Sequence, residues 1–262
     1  MIHKLSCVHH DAVIGENVVI EPFVNIAADV VIGDGTYIMS NAVIMSGARI
    51  GKNCKIFPGA VISAIPQDLK FKGEKTIVEI GDNTTIRECV TINRGTVAKN
   101  KTIVGSNCLL MAYVHIAHDC VVGNNAILVN GTTLGGEVIV EDWAVISANS
   151  LIHQFCRIGQ HSILAGGSLV DKDIPPFVKA ARYPISHAGI NSIGLRRRGF
   201  SDEAIKNIQD IYRIIYNKGF HTSAAIEYIE AEFPASNERD DIILFVKNAK
   251  RGIMKGYFDN EE

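Results

Sequence analysis

The sequence predicts a mainly β protein, in which a parallel β-helix of stacked coils is followed by a small C-terminal α-helical domain. Three observations predict this fold class: a six-residue repeat through the first two-thirds of the chain, a glycine-rich and aromatic-poor composition, and a change to helical spacing near the C-terminus. Glycine accounts for 23 of the 262 residues, whereas aromatic residues make up only 7%. The core is therefore expected to consist of aliphatic side chains and tight turns.

The six-residue repeat carries one aliphatic residue in each unit. Of the 29 positions at this spacing from Ile2 to Val170, 26 are Ile, Leu or Val. Six residues match neither the helical period of about 3.6 nor the strand period of 2. The unit fits short strands joined by tight turns, with the aliphatic side chain pointing inward, and three units make a triangular coil. The repeat predicts about nine or ten coils, stacked about 4.8 Å apart.

Two segments, 64–75 and 95–102, interrupt the repeat. They contain the three positions that lack an aliphatic residue, Asp68, Glu74 and Ala98. We expect both segments to be loops that project from the coils, and loops on a rigid scaffold often carry binding residues. The first loop offers polar side chains that could hydrogen-bond a sugar, namely Gln67, Asp68 and Lys70.

The repeat ends near Pro175 and Pro176, which cannot continue a regular coil. Beyond them the apolar residues adopt helical spacing, and helices are predicted over 201–218, 222–233 and 236–252. Ser201 is the predicted N-cap of the first of these helices. The predicted domains are a β-helix over 1–178 and a helical domain over 186–262.

Composition excludes several classes of protein. The 26 basic and 28 acidic residues give a net charge of -2, which argues against a nucleic-acid binder with a broad basic face. No stretch of about 18 apolar residues predicts a membrane span, and the N-terminus lacks a signal-peptide core, so a cytoplasmic location is expected. The six cysteines contain no C-x-x-C pair and are expected to be small buried residues.

The 18-residue coil period brings candidate catalytic residues together. It places His118 one coil away from Gly136, which in turn lies one coil away from Gln154. His115 flanks the inward-pointing Ile116. The predicted edge carries seven residues within about 10 Å: His115, His118, Asp119, Gly135, Gly136, His153 and Gln154.

Their chemistry suits general base catalysis. The ordinary pKa of histidine, near 6.5, allows His118 to accept a proton at neutral pH. Asp119 could orient its ring and stabilise the imidazolium. Gly136 leaves its backbone N–H unshielded, so that it could hydrogen-bond a developing oxyanion.

Other interpretations of the same residues stay open at this stage. The histidines could be ordinary polar residues on a solvated wall. His115, His118 and His153 could bind zinc, although their separation strains a tetrahedral site within one subunit; a site shared between subunits stays open. The run Arg196–Arg198 could bind phosphate or simply end a solvated helix.

Six segments closely resemble the bacterial UDP-N-acetylglucosamine acyltransferases, in the order found in that family. They are QDLKFKGE at 67–74, IRECVTINRGT at 86–96, HIAHDCVVGN at 115–124, HQFCRIG at 153–159, DIPPFV at 173–178 and GLRRRGFS at 194–201. The resemblance implies a left-handed β-helix and a homotrimer with active sites between subunits. It also implies the first step of lipid A synthesis, the transfer of a 3-hydroxyacyl chain from acyl carrier protein to the glucosamine 3-hydroxyl of UDP-N-acetylglucosamine.

The resemblance also implies residue roles. His118 would be the general base, Asp119 its partner and Gly136 the oxyanion donor. The sugar would be held by Gln67, Asp68 and Lys70. The nucleotide and pantetheine paths would be lined by His115, His153, Gln154, Asn191, Arg197 and Arg198. Gly166 falls where the family measures acyl-chain length. The resemblance implies no metal and no cofactor. The phosphopantetheine group belongs to the carrier protein, and its thioester is a substrate of the reaction.

Three positions depart from the family pattern. Glu137 and Asn93 stand where relatives carry histidine, and Ile193 replaces an acidic residue. We interpret them as altered substrate contacts. Two rival hypotheses remain: a related acyl- or acetyltransferase that acts on another nucleotide sugar, and a β-helix scaffold without enzymatic activity.

Overall fold

The computed structural model describes residues 1–217, 219 and 221–256, and its main body is a triangular β-helix. Three sheets of nine, eight and eleven strands form the faces of the prism in this part of the chain. Strands of the coils pair in parallel, as predicted from the repeat. The nine strands of the first face correspond to nine coils.

The strands are short, and each face collects every third strand along the chain. The first face contains Cys7–Val8, Asn25–Ile26, Val43–Ile44, Val61–Ala64, Thr91–Asn93, His115–Ile116, Thr133–Leu134, Leu151–Ile152 and Leu169–Val170. The second face contains Val13–Ile14, Val30–Ile32, Ala48–Ile50, Ile77–Ile80, Lys101–Val104, Val121–Val122, Ile139–Val140 and Arg157–Ile158. The third face contains Val19–Ile20, Tyr37–Ile38, Lys55–Ile56, Thr85–Ile86, Leu109–Leu110, Ile127–Leu128, Val145–Ile146, Ile163–Leu164, Val178–Ala181, Ser186–Ile190 and Lys255–Gly256.

Turns between the faces form three corners. We call the turn from the first to the second face the first corner, the next turn the second corner, and the turn from the third face back to the first face the third corner. Where no loop intervenes, paired residues differ by 18 positions, as in His115 and Thr133. The offset grows to 30 between Val61 and Thr91 and to 24 between Ile77 and Lys101. The first loop therefore adds 12 residues and the second adds 6, and both leave the prism at the first corner. These lengths equal two repeats, for the missing positions Asp68 and Glu74, and one repeat, for Ala98.

The repeated aliphatic residues form the core of the prism. Ile116 and Leu134 are fully buried, whereas Ile2 is 53% exposed because no coil lies beneath it. Cys54, Cys108, Cys120 and Cys156 are buried two residues before these aliphatic positions. The prediction that all cysteines are buried is wrong for the remaining two, Cys7 and Cys89, which are exposed.

The C-terminal part begins with a hairpin and continues with four helices in the described residues. The strands Val178–Ala181 and Ser186–Ile190 pair antiparallel and extend the third face. The helices are α1 (Ser192–Arg197), α2 (Asp202–Asn217), α3 (Thr222–Glu232) and α4 (Asn237–Lys247). Ser201 caps α2 as predicted, because its hydroxyl accepts a hydrogen bond from the N–H of Ala204 at 3.1 Å.

Some sequence predictions for this part need correction. The helix predicted over 236–252 ends at Lys247, where Asn248 caps it with its backbone N–H. The hairpin and α1 were not predicted, because neither has a clear apolar period. Residue 218 of the first predicted helix and the last six residues of the predicted helical domain lie outside the described residues. Among the described helices, none combines the length and the apolar character that a bilayer crossing needs, and the cytoplasmic location stays a prediction.

His187 makes the stability of the C-terminal part depend on pH. Its ring stacks on Tyr212 and Tyr216, with centroids 5.5 and 4.5 Å away. Burial lowers the pKa of His187 to about 4, whereas an unfolded histidine titrates near 6.5. The unfolded chain therefore binds a proton between pH 6.5 and 4 that the folded chain does not, so stability falls as the pH falls through this window.

Replacing His187 by phenylalanine is expected to reduce that loss. At pH 5 the buried histidine costs about 2 kcal/mol of stability relative to pH 7. Phenylalanine keeps the ring stacking and has no nitrogen to protonate. Thermal unfolding at pH 7 and pH 5 measures the effect, and the drop in unfolding temperature should be smaller in His187→Phe than in the parent protein. Equal drops in the two proteins would contradict the prediction.

Candidate active site

His118 and Asp119 form a hydrogen-bonded pair at the first corner. The corner follows the strand His115–Ile116, and Asp119 turns the chain with a φ of 61°. The Nδ1 atom of His118 lies 2.8 Å from Oδ2 of Asp119. The Asp119 side chain is fully buried, whereas the His118 side chain is 20% exposed. The carboxylate thus holds the ring from the inside while part of the ring stays open to a ligand.

The charge of Asp119 fixes the tautomer of His118. Burial works against the ionised carboxylate, but hydrogen bonds from Thr96 and His118 outweigh it and lower the pKa of Asp119 below its ordinary value. Asp119 is therefore a carboxylate at neutral pH, and its oxygen can only accept a hydrogen bond. We infer that Nδ1 of His118 carries a proton and donates it to Asp119 in this hydrogen bond. The lone pair of Nε2 is left to act as a base.

Gly136 lies against the imidazole from the next coil. A Cβ atom placed on Gly136 would lie 2.7 Å from Cε1 and 2.8 Å from Nε2 of His118. Only glycine therefore fits at this position with the ring as observed. The N–H of Gly136 donates to no protein group among residues 1–217, 219 and 221–256, so this peptide N–H is available beside the ring.

A groove of about 680 Å³ leads away from Gly135 and Gly136 along the first face. Its wall is mostly apolar, and it ends at the turn of the C-terminal hairpin. The lining includes Thr133, Leu151, Leu169, Val170, Tyr183, Pro184 and Ile185. His153 and Gln154 also line it and are exposed. An extended apolar ligand could lie here with its polar end at Gly136.

The three histidines proposed as zinc ligands do not converge within one chain. His115 instead hydrogen-bonds the hydroxyl of Thr91, with Nδ1 2.7 Å from Oγ1, and burial lowers the pKa of His115. In the part of the chain that the structure describes, the group with metal-ligand geometry is His9, His10 and Asp11. These three are exposed and adjacent in sequence, and nothing else in the structure points to a ligand there.

The first loop leaves the prism at the same corner as His118. Asp68 stabilises a tight turn within it, because its carboxylate accepts a hydrogen bond from the N–H of Lys70 at 2.9 Å. The side chains of Gln67 and Lys70 are exposed. The guanidinium of Arg94, the residue before the second loop, lies over the ring of Phe71 in the first loop at 5.4 Å. In the described residues no hydrogen bond joins the three predicted sugar ligands to His118.

The remaining candidates lie at the other corners. Gly166 is at the third corner, in the turn before Leu169–Val170. Asn191 and Arg198 pack at the second corner, where each hydrogen-bonds His161: the Asn191 amide donates to its carbonyl at 2.9 Å and Arg198 to its ring at 3.3 Å. Arg197 is exposed on α1. Within one chain, the predicted residues therefore divide among three corners and do not form one site.

The three departures from the family pattern lie in different surroundings. Glu137 donates its N–H to the carbonyl of His118 at 3.0 Å, and its carboxylate lies 3.9 Å from the Lys99 ammonium. Asn93 is buried and donates to the carbonyl of Ile65, but its Oδ1 has no partner in the described residues. Ile193 is 65% exposed on α1.

Sequence reasoning missed Thr96, which contacts Asp119 of the His118–Asp119 pair directly. Its backbone N–H and hydroxyl both donate to the carboxylate of Asp119. The repeat does locate its loop, because the missing position at Ala98 falls after a strand of the first face. That placement puts the loop at the same corner as Asp119, although no spacing rule identifies which loop residue reaches the carboxylate.

Two family models match the chain. The second domain of UDP-N-acetylglucosamine O-acyltransferases matches residues 173–254. The bacterial transferase hexapeptide model, of six repeats, matches residues 29–64 and 101–136. The two matches fall on the C-terminal part and on the coils, respectively.

Relatives that cover three quarters or more of the chain carry the same description. An acyl-[acyl-carrier-protein]–UDP-N-acetylglucosamine O-acyltransferase from Thermodesulfovibrio yellowstonii is 44% identical over 97% of this chain and 99% of its own length. One from Herminiimonas arsenicoxydans is 47% identical over 76% of this chain and 78% of its own length. The crystal structure of a UDP-N-acetylglucosamine acyltransferase from Bacteroides fragilis is 58% identical, covers 97% of this chain and 100% of the other, and has a TM-score of 0.96. This match confirms the predicted left-handed parallel β-helix.

Proposed function

Because this chain belongs to the UDP-N-acetylglucosamine O-acyltransferase family, we propose that it transfers a 3-hydroxyacyl chain to the 3-hydroxyl of UDP-N-acetylglucosamine. The donor is acyl carrier protein, and the reaction is the first step of lipid A synthesis. One observation carries the proposal at the level of chemistry: the imidazole of His118, oriented by buried Asp119, lies against Gly136. A base and a peptide N–H side by side suit acyl transfer.

The proposed mechanism needs no covalent intermediate on the enzyme and no metal or cofactor. Nε2 of His118 takes the proton of the sugar hydroxyl, and the alkoxide attacks the thioester carbonyl. The N–H of Gly136 hydrogen-bonds the oxyanion of the tetrahedral intermediate. When the C–S bond breaks, the imidazolium of His118 gives its proton to the departing phosphopantetheine thiolate. Asp119 stabilises the imidazolium between these two steps.

The groove along the first face suits the acyl chain. It begins at Gly136, where the thioester carbonyl would lie, and its apolar wall includes Leu151 and Leu169. The turn at Tyr183 and Pro184 lines its far end. A bound acyl chain would therefore have its reacting end at the base and its tail against the hairpin.

We also propose a homotrimer, because the proposed roles require residues from more than one chain. The base is at the first corner, whereas Gly166 lies at the third corner and Asn191 and Arg198 at the second. These residues can serve one substrate only if corners of different chains meet. We therefore propose active sites between subunits, with His153 and Gln154 contributing from the corner of the base and the sugar ligands Gln67, Asp68 and Lys70 from the loop beside it.

A related transferase for another nucleotide sugar is the second candidate. It is favoured by Glu137, which departs from the family pattern directly after Gly136, whereas Asn93 is buried and Ile193 lies on α1. A sugar with an additional donor, such as an amine, is the kind of substrate that the carboxylate of Glu137 would suit.

Product analysis tests the proposed function. The purified protein is incubated with UDP-N-acetylglucosamine and either a mixture of 3-hydroxyacyl carrier proteins or acetyl-coenzyme A. We expect mass spectrometry to find a 3-hydroxyacyl ester of the sugar with the carrier-protein donors and little product with acetyl-coenzyme A. Parallel reactions with amino-sugar nucleotides identify the second candidate, because their product would be an amide stable to mild base. Absence of any acyl transfer would support a scaffold without activity.

A further inference from the structure

Thr96 and Lys99, in the loop at 95–102, surround the carboxylate of Asp119 with hydrogen-bond donors. The N–H of Thr96 lies 2.9 Å from Oδ1 and 3.1 Å from Oδ2, and the Thr96 hydroxyl lies 2.6 Å from Oδ2. The N–H of Lys99 donates to Oδ1 at 3.2 Å. Together with Nδ1 of His118, these donors leave the carboxylate little freedom to rotate. The loop therefore fixes the Asp119 carboxylate, which in turn fixes the imidazole ring of His118.

The direction of the Thr96 hydroxyl is itself determined. Its oxygen accepts a hydrogen bond from the N–H of Ala98 at 3.1 Å, which leaves its own proton for Asp119. The loop is closed behind it by a hydrogen bond from the N–H of Asn100 to the carbonyl of Thr96 at 2.7 Å. Thr96 is only 6% exposed, so water does not compete for this proton. A short, charge-assisted hydrogen bond to Oδ2 results.

The same chain contains a comparison without the loop. His10 and Asp11 repeat the His118–Asp119 dipeptide at the first corner, and their preceding strands belong to one continuous parallel sheet. At this earlier corner the side chains are 85% and 65% exposed, and Nε2 of His10 lies 3.4 Å from Asp11. The dipeptide in this turn therefore does not bury its carboxylate or hold the ring. The later corner differs in the loop that carries Thr96, in the left-handed φ of Asp119, and in following an interior strand of the sheet, whereas His10 and Asp11 follow the terminal strand.

We propose that Thr96 is a positioning residue for the acyl transfer: its hydroxyl holds Asp119 in the orientation that keeps the Nε2 atom of His118 facing Gly136. This inference rests on the proposed function of His118. Thr96 touches no substrate in this account and acts only through Asp119. Its loss should therefore slow the chemical step without weakening the binding of the nucleotide sugar.

The test compares Thr96→Val with Thr96→Ser. Valine has nearly the same shape and keeps the backbone N–H, but it removes the hydroxyl donor, whereas serine keeps the donor. We expect Thr96→Val to lower kcat about tenfold to a hundredfold with KM for UDP-N-acetylglucosamine within about twofold, and Thr96→Ser to stay within about threefold of the parent kcat. Thr84→Val is the matched control, because the Thr84 hydroxyl also accepts from a backbone N–H (Cys108) and donates to a backbone carbonyl (Gly105), but it lies away from Asp119.

A double-mutant cycle separates positioning from general destabilisation. In an Asp119→Asn background, Thr96→Val should lower kcat by less than about threefold further, because the interaction is already lost. Independent effects that multiply in the double variant would overturn the proposal, as would a normal kcat in Thr96→Val or a loss in Thr84→Val of the same size. If His118→Ala proves inactive while Thr96→Val is normal, this inference fails and the proposed function stands. If His118→Ala stays active, the general-base role of His118 fails and this inference fails with it, whereas the absence of acyl transfer by the parent protein is what would refute the proposed function.

Discussion

Replacement of His118 by alanine is expected to lower kcat by about a thousandfold or more. The variant loses both the base that activates the sugar hydroxyl and the acid that protonates the leaving thiolate. Its backbone keeps the turn at the first corner, so folding and the binding of UDP-N-acetylglucosamine should remain near those of the parent protein. Steady-state kinetics with 3-hydroxyacyl carrier protein and calorimetric titration of the nucleotide sugar measure the two properties.

His10→Ala is the matched control for this prediction. It removes an imidazole next to an aspartate at the same corner of the prism, but from an exposed position without the covering loop. Its kcat should equal that of the parent protein. Turnover in His118→Ala near the parent value would remove His118 from the role of general base.

Replacement of Gly136 by alanine is expected to lower kcat by about a hundredfold or more. The added methyl group would lie 2.7 and 2.8 Å from ring atoms of His118, so the imidazole must turn away from the peptide N–H. The obstacle is a side chain at the surface, and it can rotate without disturbing the core. The variant should therefore fold normally and fail in the chemical step, which thermal unfolding and kinetics together reveal.

Gly105→Ala provides the opposite case. There the added methyl group would lie 2.7 Å from a backbone atom of Gly123 on the next coil. The coils must separate locally, so stability should fall while kcat per folded molecule stays near the parent value. Full activity of Gly136→Ala would contradict the prediction, because it would show that the His118 ring can accommodate the methyl group without losing its function.

The repeat allowed the juxtaposition of His118 and Gly136 to be predicted because it converts sequence distance into position. His118 and Gly136 differ by one coil length with no loop between them, and the structure brings their atoms together. The repeat also located both loops, since Asp68, Glu74 and Ala98 break the aliphatic pattern. The path of a loop outside the prism follows no repeat. The contact of Thr96 with Asp119 was therefore not predicted.

Other misses have similar physical reasons. Cys7 and Cys89 are exposed because they lie outside the inward positions of the repeat, which residue type alone does not reveal. The helix α1 has only six residues and begins where the Asn191 side chain accepts a hydrogen bond from Gly194, a contact too local for a periodicity argument. The division of the predicted ligands among three corners requires the turn assignments that the structure supplies.

That division has a consequence for the stoichiometry of catalysis. Under the proposed roles, each polypeptide contributes a base to one reaction centre and nucleotide or acyl contacts to others, since its corners face different directions. The smallest working unit is then larger than a single polypeptide, and the rate per chain depends on assembly as well as on the chemistry of any single residue.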